Sequence, residues 1–224
     1  MKTLADYEYY RTELGVLYCG DNSVVMPLIK EPIDLILTDP PYNALNMGVN
    51  QKVYDNTKME LPEKEYRAFC KRWFKQAQRI TPNIIFTPGC TNVWNYPKAL
   101  WLGSWNKPGA VSYNKMSGYN ESEPILYYGK LQQQKDTYRY TPNNFTNDIS
   151  KEHPCPKNPF LWMDLIKANN KKQLILDPFM GSGTTAFTCE RLGRKWIGIE
   201  ISAAYAEIAK RRIEVEARQL KLFK

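Results

Sequence analysis

The chain has 224 residues, with 31 Lys and Arg against 23 Asp and Glu for a net charge of +8, and it is 43% apolar and 24% charged. That length builds one sizeable core and is short for two full domains, while the apolar content and the 13% aromatic share exclude a disordered polyelectrolyte. No stretch approaches the roughly 20 apolar residues that cross a bilayer, and residues 1–15 lack the continuous apolar run of a secretory signal.

In chain order, Val16-Leu17-Tyr18 reads as a short strand ending in the turn formers Gly20-Asp21-Asn22. The branched residues from Ile33 to Thr38 predict a central strand buried on both faces. Asp39-Pro40-Pro41-Tyr42 stops it, because Pro40 cannot donate to a sheet ladder and restricts the residue before it. Residues 43–61 read as a mobile loop. From Glu63 to Ile80, Tyr66, Phe69, Trp73, Ala77 and Ile80 recur at three or four positions and predict an amphipathic helix. Asn83–Thr87, Leu100–Trp105 and Ile125–Tyr128 are further strands.

Residues 130–173 are polar and interrupted by prolines, with eight basic side chains against four acidic ones, so they read as an irregular connection. Inside it Asn158-Pro159 predicts a short helix, Asn capping the free donors and Pro fitting the first turn. Leu174–Asp177 is the next strand, the glycine turn 178–183 follows, and Thr184–Leu192 forms a helix closed by Gly193. Lys195–Glu200 gives a last strand, and Ser202 caps a final helix with Tyr205, Ile208, Ala209, Ile213, Ala217 and Leu220 towards the sheet.

Two turns carry the chemistry. Asp177-Pro178-Phe179-Met180-Gly181-Ser182-Gly183-Thr184-Thr185 joins a buried strand to a helix, where glycines let backbone approach a ligand. It lacks the lysine of a phosphate loop and the third glycine of a dinucleotide fingerprint. Glu200, at the end of the next strand, can accept from two ribose hydroxyls, so a nucleoside-containing cofactor is the leading expectation. At the other turn, Asp39 and the Pro40 carbonyl supply two acceptors for an exocyclic amino group, with the Tyr42 ring to stack on its base. The five cysteines form no C-x-x-C pair and suit reduced thiols in a cytoplasmic protein, and neither they nor the lone His153 make a metal set.

Asp39-Pro40-Pro41-Tyr42 together with the 177–185 turn strongly resembles the amino-group DNA methyltransferases that use S-adenosyl-L-methionine. His153-Pro154-Cys155-Pro156-Lys157-Asn158 resembles that family's His-Pro-x-x-Lys-Pro element, with Asn158 in place of the last proline. The resemblance implies a single Rossmann-like α/β domain over residues 1–224, with a mostly parallel sheet and a circularly permuted motif order. It implies Asp39, Pro40 and Tyr42 as catalytic residues. Asp177, Phe179, Gly181, Ser182, Gly183 and Thr184 would form the cofactor turn, with Glu200 at the ribose, Asp21 near the adenine and Lys157 at the cofactor carboxylate.

The sulfonium methyl of such a cofactor is already electrophilic, so alignment is the protein's task and Asp39 acts as an orienter. Neither Cys90 nor Cys155 sits in the Pro-Cys-Gln context of a cytosine-carbon enzyme. Asp at the first catalytic position favours adenine N6 over cytosine N4, the near alternative. An RNA or protein-amide methyltransferase and a degenerate nucleic-acid-binding module are the other readings. Residues 129–152 are the expected target-recognition loop, with Lys130, Lys135, Tyr138 and Arg139 as contacts to double-stranded DNA. So short an element suits a short target or a homodimer. Lys210, Arg211 and Arg212 read first as a solvated helix face.

Overall fold

The computed structural model describes residues 2–43, 61–109, 120–133, 135–141 and 157–222. Its strands are β1 (Glu8–Arg11), β2 (Gly15–Cys19), β3 (Leu35–Thr38), β4 (Ile84–Phe86), β5 (Trp101–Asn106), β6 (Ser122–Tyr128), β7 (Thr137–Arg139), β8 (Leu174–Asp177) and β9 (Lys195–Glu200). They form one sheet in the order β1-β2-β9-β8-β3-β4-β6-β5-β7. Only β1 and β6 run against the common direction among the described strands.

The helices are α1 (Asn22–Val25), α2 (Glu63–Ile80), α3 (Pro159–Ala168), α4 (Thr184–Leu192) and α5 (Ala203–Leu222). Strand side chains alternate between two cores. Ile36, Ile84, Phe86, Leu176 and Ile199 point to one face, where α2 buries Tyr66, Phe69, Cys70, Trp73, Phe74 and Ala77. Leu35, Leu37, Ile85, Ile175 and Trp196 point to the other, where they meet Leu161 and Leu165 of α3, Ala186 and Cys189 of α4, and Ala209 and Ile213 of α5. Helices on both faces explain why the central strands are apolar throughout rather than alternating.

Four features depart from the sequence reading. β1 was not expected: its residues Glu-Tyr-Tyr-Arg are mostly exposed at the sheet edge, and antiparallel pairing with β2 makes them a strand. β6 begins at Ser122, before Ile125, because Pro124 masks a strand there. The connection from 130 is not irregular throughout, since β7 pairs with β5. Gly20-Asp21-Asn22 leads into α1, whose cap is Asp21, accepting from the Ser23 amide at 2.7 Å. Asn158 caps α3 as expected, accepting from Phe160 and Leu161. The expected loop over 43–61 falls largely, over 44–60, outside the described residues, as do His153 and Cys155.

Candidate active site

The two chemical turns lie side by side. β3 and β8 are neighbouring parallel strands, with Leu35 opposite Ile175 and Ile36 opposite Leu176. Both turns therefore leave the carboxyl end of the same sheet, the end where open α/β folds bind ligands. A direct bond joins them: the Thr38 hydroxyl donates to Asp177 Oδ1 at 2.6 Å.

Asp177 is 3% exposed. Its Oδ1 also accepts from the Phe179 amide at 3.0 Å, and its Oδ2 accepts from the Thr185 hydroxyl at 2.5 Å. Burial pushes its carboxyl up to about 6 in spite of those three donors. With both oxygens engaged by the protein, Asp177 sets the shape of the turn. Phe179 likewise turns its ring onto α2, 5.5 Å from Trp73 and 5.9 Å from Phe69 between ring centres.

The glycine turn bends through positive φ at Gly181 (53°) and Gly183 (81°), conformations that a side chain disfavours. A Cβ on Gly183 would also come within 3.0 Å of Ala209 in α5. Glu200 accepts from the Gly181 amide at 2.8 Å and from the Ser202 amide at 2.9 Å, one on each oxygen. Burial raises its carboxyl against these bonds. Each oxygen keeps a lone pair for a further donor. Next to it Ile201 is 70% exposed, an apolar surface at the rim. Asp21 is exposed nearby, because Gly20 donates to the Glu200 carbonyl at 2.9 Å and Asn22 to the Pro178 carbonyl at 3.3 Å. Ser182 and Thr184 are buried and face α5, where Arg212 donates to the Ser182 carbonyl at 3.3 Å and the Thr184 hydroxyl at 3.0 Å. Arg212 thus leaves the solvated face expected for it, its guanidinium 4.7 Å from the Phe187 ring centre and lowered by burial to about 10.

Around Asp39 the structure builds a charge cluster from five chain segments. Asp39 Oδ1 accepts from the Tyr42 hydroxyl at 2.6 Å, from the Thr87 hydroxyl at 2.6 Å and from Lys157 Nζ at 2.9 Å. Among the described residues no hydrogen bond reaches Asp39 Oδ2, and the Tyr66 hydroxyl takes the Pro41 carbonyl rather than that of Pro40. Glu123 of β6 completes the cluster. Its Oε1 accepts from Lys157 and from the Tyr42 hydroxyl at 2.5 Å, and its Oε2 accepts from Lys107 at 3.2 Å. Burial works to raise Glu123, but Lys157 and Lys107 bring it down to about 2. For Asp39, burial and the Glu123 charge win over Lys157, Thr87 and Tyr42, and its carboxyl is raised. Lys157 is raised by its two carboxylates although burial opposes its charge.

Lys157, expected at the cofactor carboxylate, pairs here with Asp39 and Glu123, its ammonium 5.2 Å from the centre of the Tyr42 ring. Tyr42 stands with its ring against Gly89 and its hydroxyl in the cluster. Glu123, Lys107, Thr87 and Thr38 were not read from the sequence. The one available signal was the pair of acidic residues, Glu121 and Glu123, leading into the Ile125–Tyr128 strand.

The expected DNA contacts divide. Tyr138 is 2% exposed, its hydroxyl donating to Gln133 at 2.9 Å, so it belongs to the core and offers bases no surface, contrary to the contact expected of it. Lys130 follows β6, where its amide donates to Asn83 Oδ1 at 2.9 Å beside the start of β4, at the far end of the sheet from Asp39. The cavity lined by Leu100, Trp101, Tyr127 and Gly129 lies at that far end too. Lys135 pairs with Asp164 at 3.1 Å. Arg139 is exposed and pairs in register with Asn106, the end of β5 nearest the cluster. Residues 142–152 of the expected loop lie outside the described residues.

The family described as DNA methylase matches residues 87–211. The Type II methyltransferase M.ScaI of Streptomyces caespitosus is 29% identical over 95% of this chain and 85% of its own length. Among solved structures, the cytosine-N4-specific PvuII DNA methyltransferase superposes with a TM-score of 0.71 at 16% identity, covering 96% of this chain and 95% of that one. The M1.HpyAVI–SAM complex does so with a TM-score of 0.59 at 19% identity, covering 88% and 98%. These two likenesses carry the fold, the Rossmann-like arrangement with a mostly parallel sheet expected from the sequence.

Proposed function

The chain belongs to the N6/N4 DNA methylase family, and on that premise we propose that it transfers a methyl group from S-adenosyl-L-methionine to the exocyclic N6 of an adenine turned out of double-stranded DNA. The observation that carries this reading is the Thr38–Asp177 bond, which holds the amine-accepting turn and the glycine turn at one end of the sheet. The residues fit the cofactor. Glu200 has acceptor capacity for ribose hydroxyls, Ile201 offers an apolar face to a purine, and the positive-φ glycines keep side chains out of the turn beside them.

When bound, the cofactor supplies an electrophilic sulfonium methyl, so no protein nucleophile or metal is needed. Asp39 Oδ2 and the Pro40 carbonyl accept the two amine hydrogens, and the fixed carboxylate stabilises positive charge as it grows on nitrogen. The Tyr42 ring, held by its hydroxyl, offers the base a face. The order of the turns in the chain, Asp39 first and glycines later, is the permuted beta arrangement in this reading. Asp rather than Ser at position 39 favours adenine over cytosine.

Incubation with isotopically labelled S-adenosyl-L-methionine and unmethylated duplex DNA, followed by mass analysis of the nucleosides, tests the proposal. N6-methyladenine is the expected product, and N4-methylcytosine or unlabelled DNA refutes it. Asp39→Ala should retain cofactor binding and lose transfer; turnover near that of the wild type removes Asp39 from the mechanism.

A further inference from the structure

Glu123 holds a position that the pairing of a catalytic turn with a cofactor turn does not require. It comes from β6, which runs antiparallel between β4 and β5 and so carries its first residues, not its last, to the reacting end of the sheet. It is 5% exposed, yet it carries a charge and meets two ammonium groups and a phenol. The Asp39–Glu123–Lys107–Lys157 cluster contains two carboxylates and two ammoniums and is neutral as a whole. A buried carboxylate survives only when paired and hydrogen-bonded, and this one is.

The division of Lys157 between the two carboxylates is the informative part. Its ammonium touches both Asp39 Oδ1 and Glu123 Oε1, and the Tyr42 hydroxyl oxygen is 2.6 Å from the first and 2.5 Å from the second, with one hydrogen to share between them. We propose that Glu123 is a positioning residue for methyl transfer: by sharing Lys157 and the Tyr42 hydroxyl, it pins Asp39 through Oδ1 while leaving the negative charge of Asp39 available to the amine at Oδ2. This inference rests on the reading of Asp39 as the amine acceptor. Without Glu123, Lys157 has Asp39 as its one carboxylate partner, and the ion pair formed there neutralises the charge that the amine needs.

The groups facing the two carboxylates are Lys157 ahead of α3, Lys107 after β5, Tyr42 on the turn itself, Thr87 and Cys90 after β4, Tyr66 on α2 and Asp177 on β8. Of these, Lys157 lowers Asp39, while the second carboxylate, Glu123, raises it. Glu123→Gln keeps the volume and removes the charge, so the acid limb of the single-turnover rate, set by Asp39 ionisation, should move to lower pH. The plateau rate should fall by about 10²-fold, the scale of a misplaced reacting group, with S-adenosyl-L-methionine affinity unchanged. Lys107→Gln removes a cation instead and should move the limb to higher pH, which keeps the test decisive if the Glu123 variant fails to fold. Glu123→Asp, with the charge kept, should recover part of the rate.

Asp39→Asn is the control: if it retains transfer, the acceptor reading itself fails. If Asp39→Asn is inactive while Glu123→Gln keeps the wild-type rate, or slows equally at every pH with an unmoved limb, the acceptor reading stands and the Glu123 inference is overturned.

Discussion

Asp177→Asn is expected to flatten part of the pH dependence of stability, and the size of the effect follows from burial. In the folded chain the carboxyl titrates at about 6, raised first by burial and restrained by Thr185, Thr38 and Phe179, whereas the unfolded chain returns it to 3.8. Between those values the folded state holds a proton that the unfolded state has released. Stability from this group is therefore fully present below the unfolded value and lost as pH rises through about 6. At about 1.4 kcal/mol per tenfold change in proton affinity, the loss amounts to roughly 3 kcal/mol. Asn does not titrate, so the wild-type minus variant difference in unfolding free energy should shrink by roughly that amount between about pH 4 and pH 7. Urea unfolding of both proteins across this range measures it, and subtraction removes the other titrating groups. A difference that stays flat, or grows with pH, refutes the idea that this buried carboxylate is held against its desolvation by the three donors.

Three further outcomes follow from the site. Glu200→Gln replaces one acceptor oxygen with a donor facing an amide N–H, and should weaken S-adenosyl-L-methionine binding about ten- to hundredfold in calorimetry; unchanged affinity removes Glu200 from the cofactor site. Tyr42→Phe keeps the ring and deletes the hydroxyl between Asp39 and Glu123. Its single-turnover rate should fall at least about tenfold with cofactor affinity intact, and a wild-type rate refutes a role for that hydroxyl. Arg212→Met loses the bonds to Ser182 and Thr184 and should cost about 2 kcal/mol of stability and loosen cofactor binding. A variant as stable as the wild type places no structural demand on that arginine.

The helices were the most legible part of the fold. α2 spans the residues its periodicity predicts, because a long amphipathic stripe meeting a sheet is a strong and local signal. α4 ends at Gly193 for an equally local reason, a left-handed cap at φ 62°. β1 and β7 were not legible, since a short polar strand owes its existence to a partner distant in sequence. The site divides the same way. Asp39 and the glycine turn announce themselves through residue order, but Glu123 becomes visible only when β6 reverses direction and brings that carboxylate beside Lys157. The burial of Tyr138 and the place of Lys130 were not legible, because aromatic and basic composition does not report which side chains the core takes or which end of a strand they reach.

The adjacency of β3 and β8 has a consequence for how such a protein can diversify. The neighbouring strands that carry the two turns are separated in sequence by everything from Asp39 to Gln173, including both strands of the β5–β6 pair and the basic stretch after it. Segments threaded through that interval can lengthen, shorten or exchange residues while the ladder between Ile36 and Leu176 keeps the two halves in register. On the proposed reading, the word read in a nucleic acid is thereby free to drift over generations, and the distance across which a carbon must travel is not.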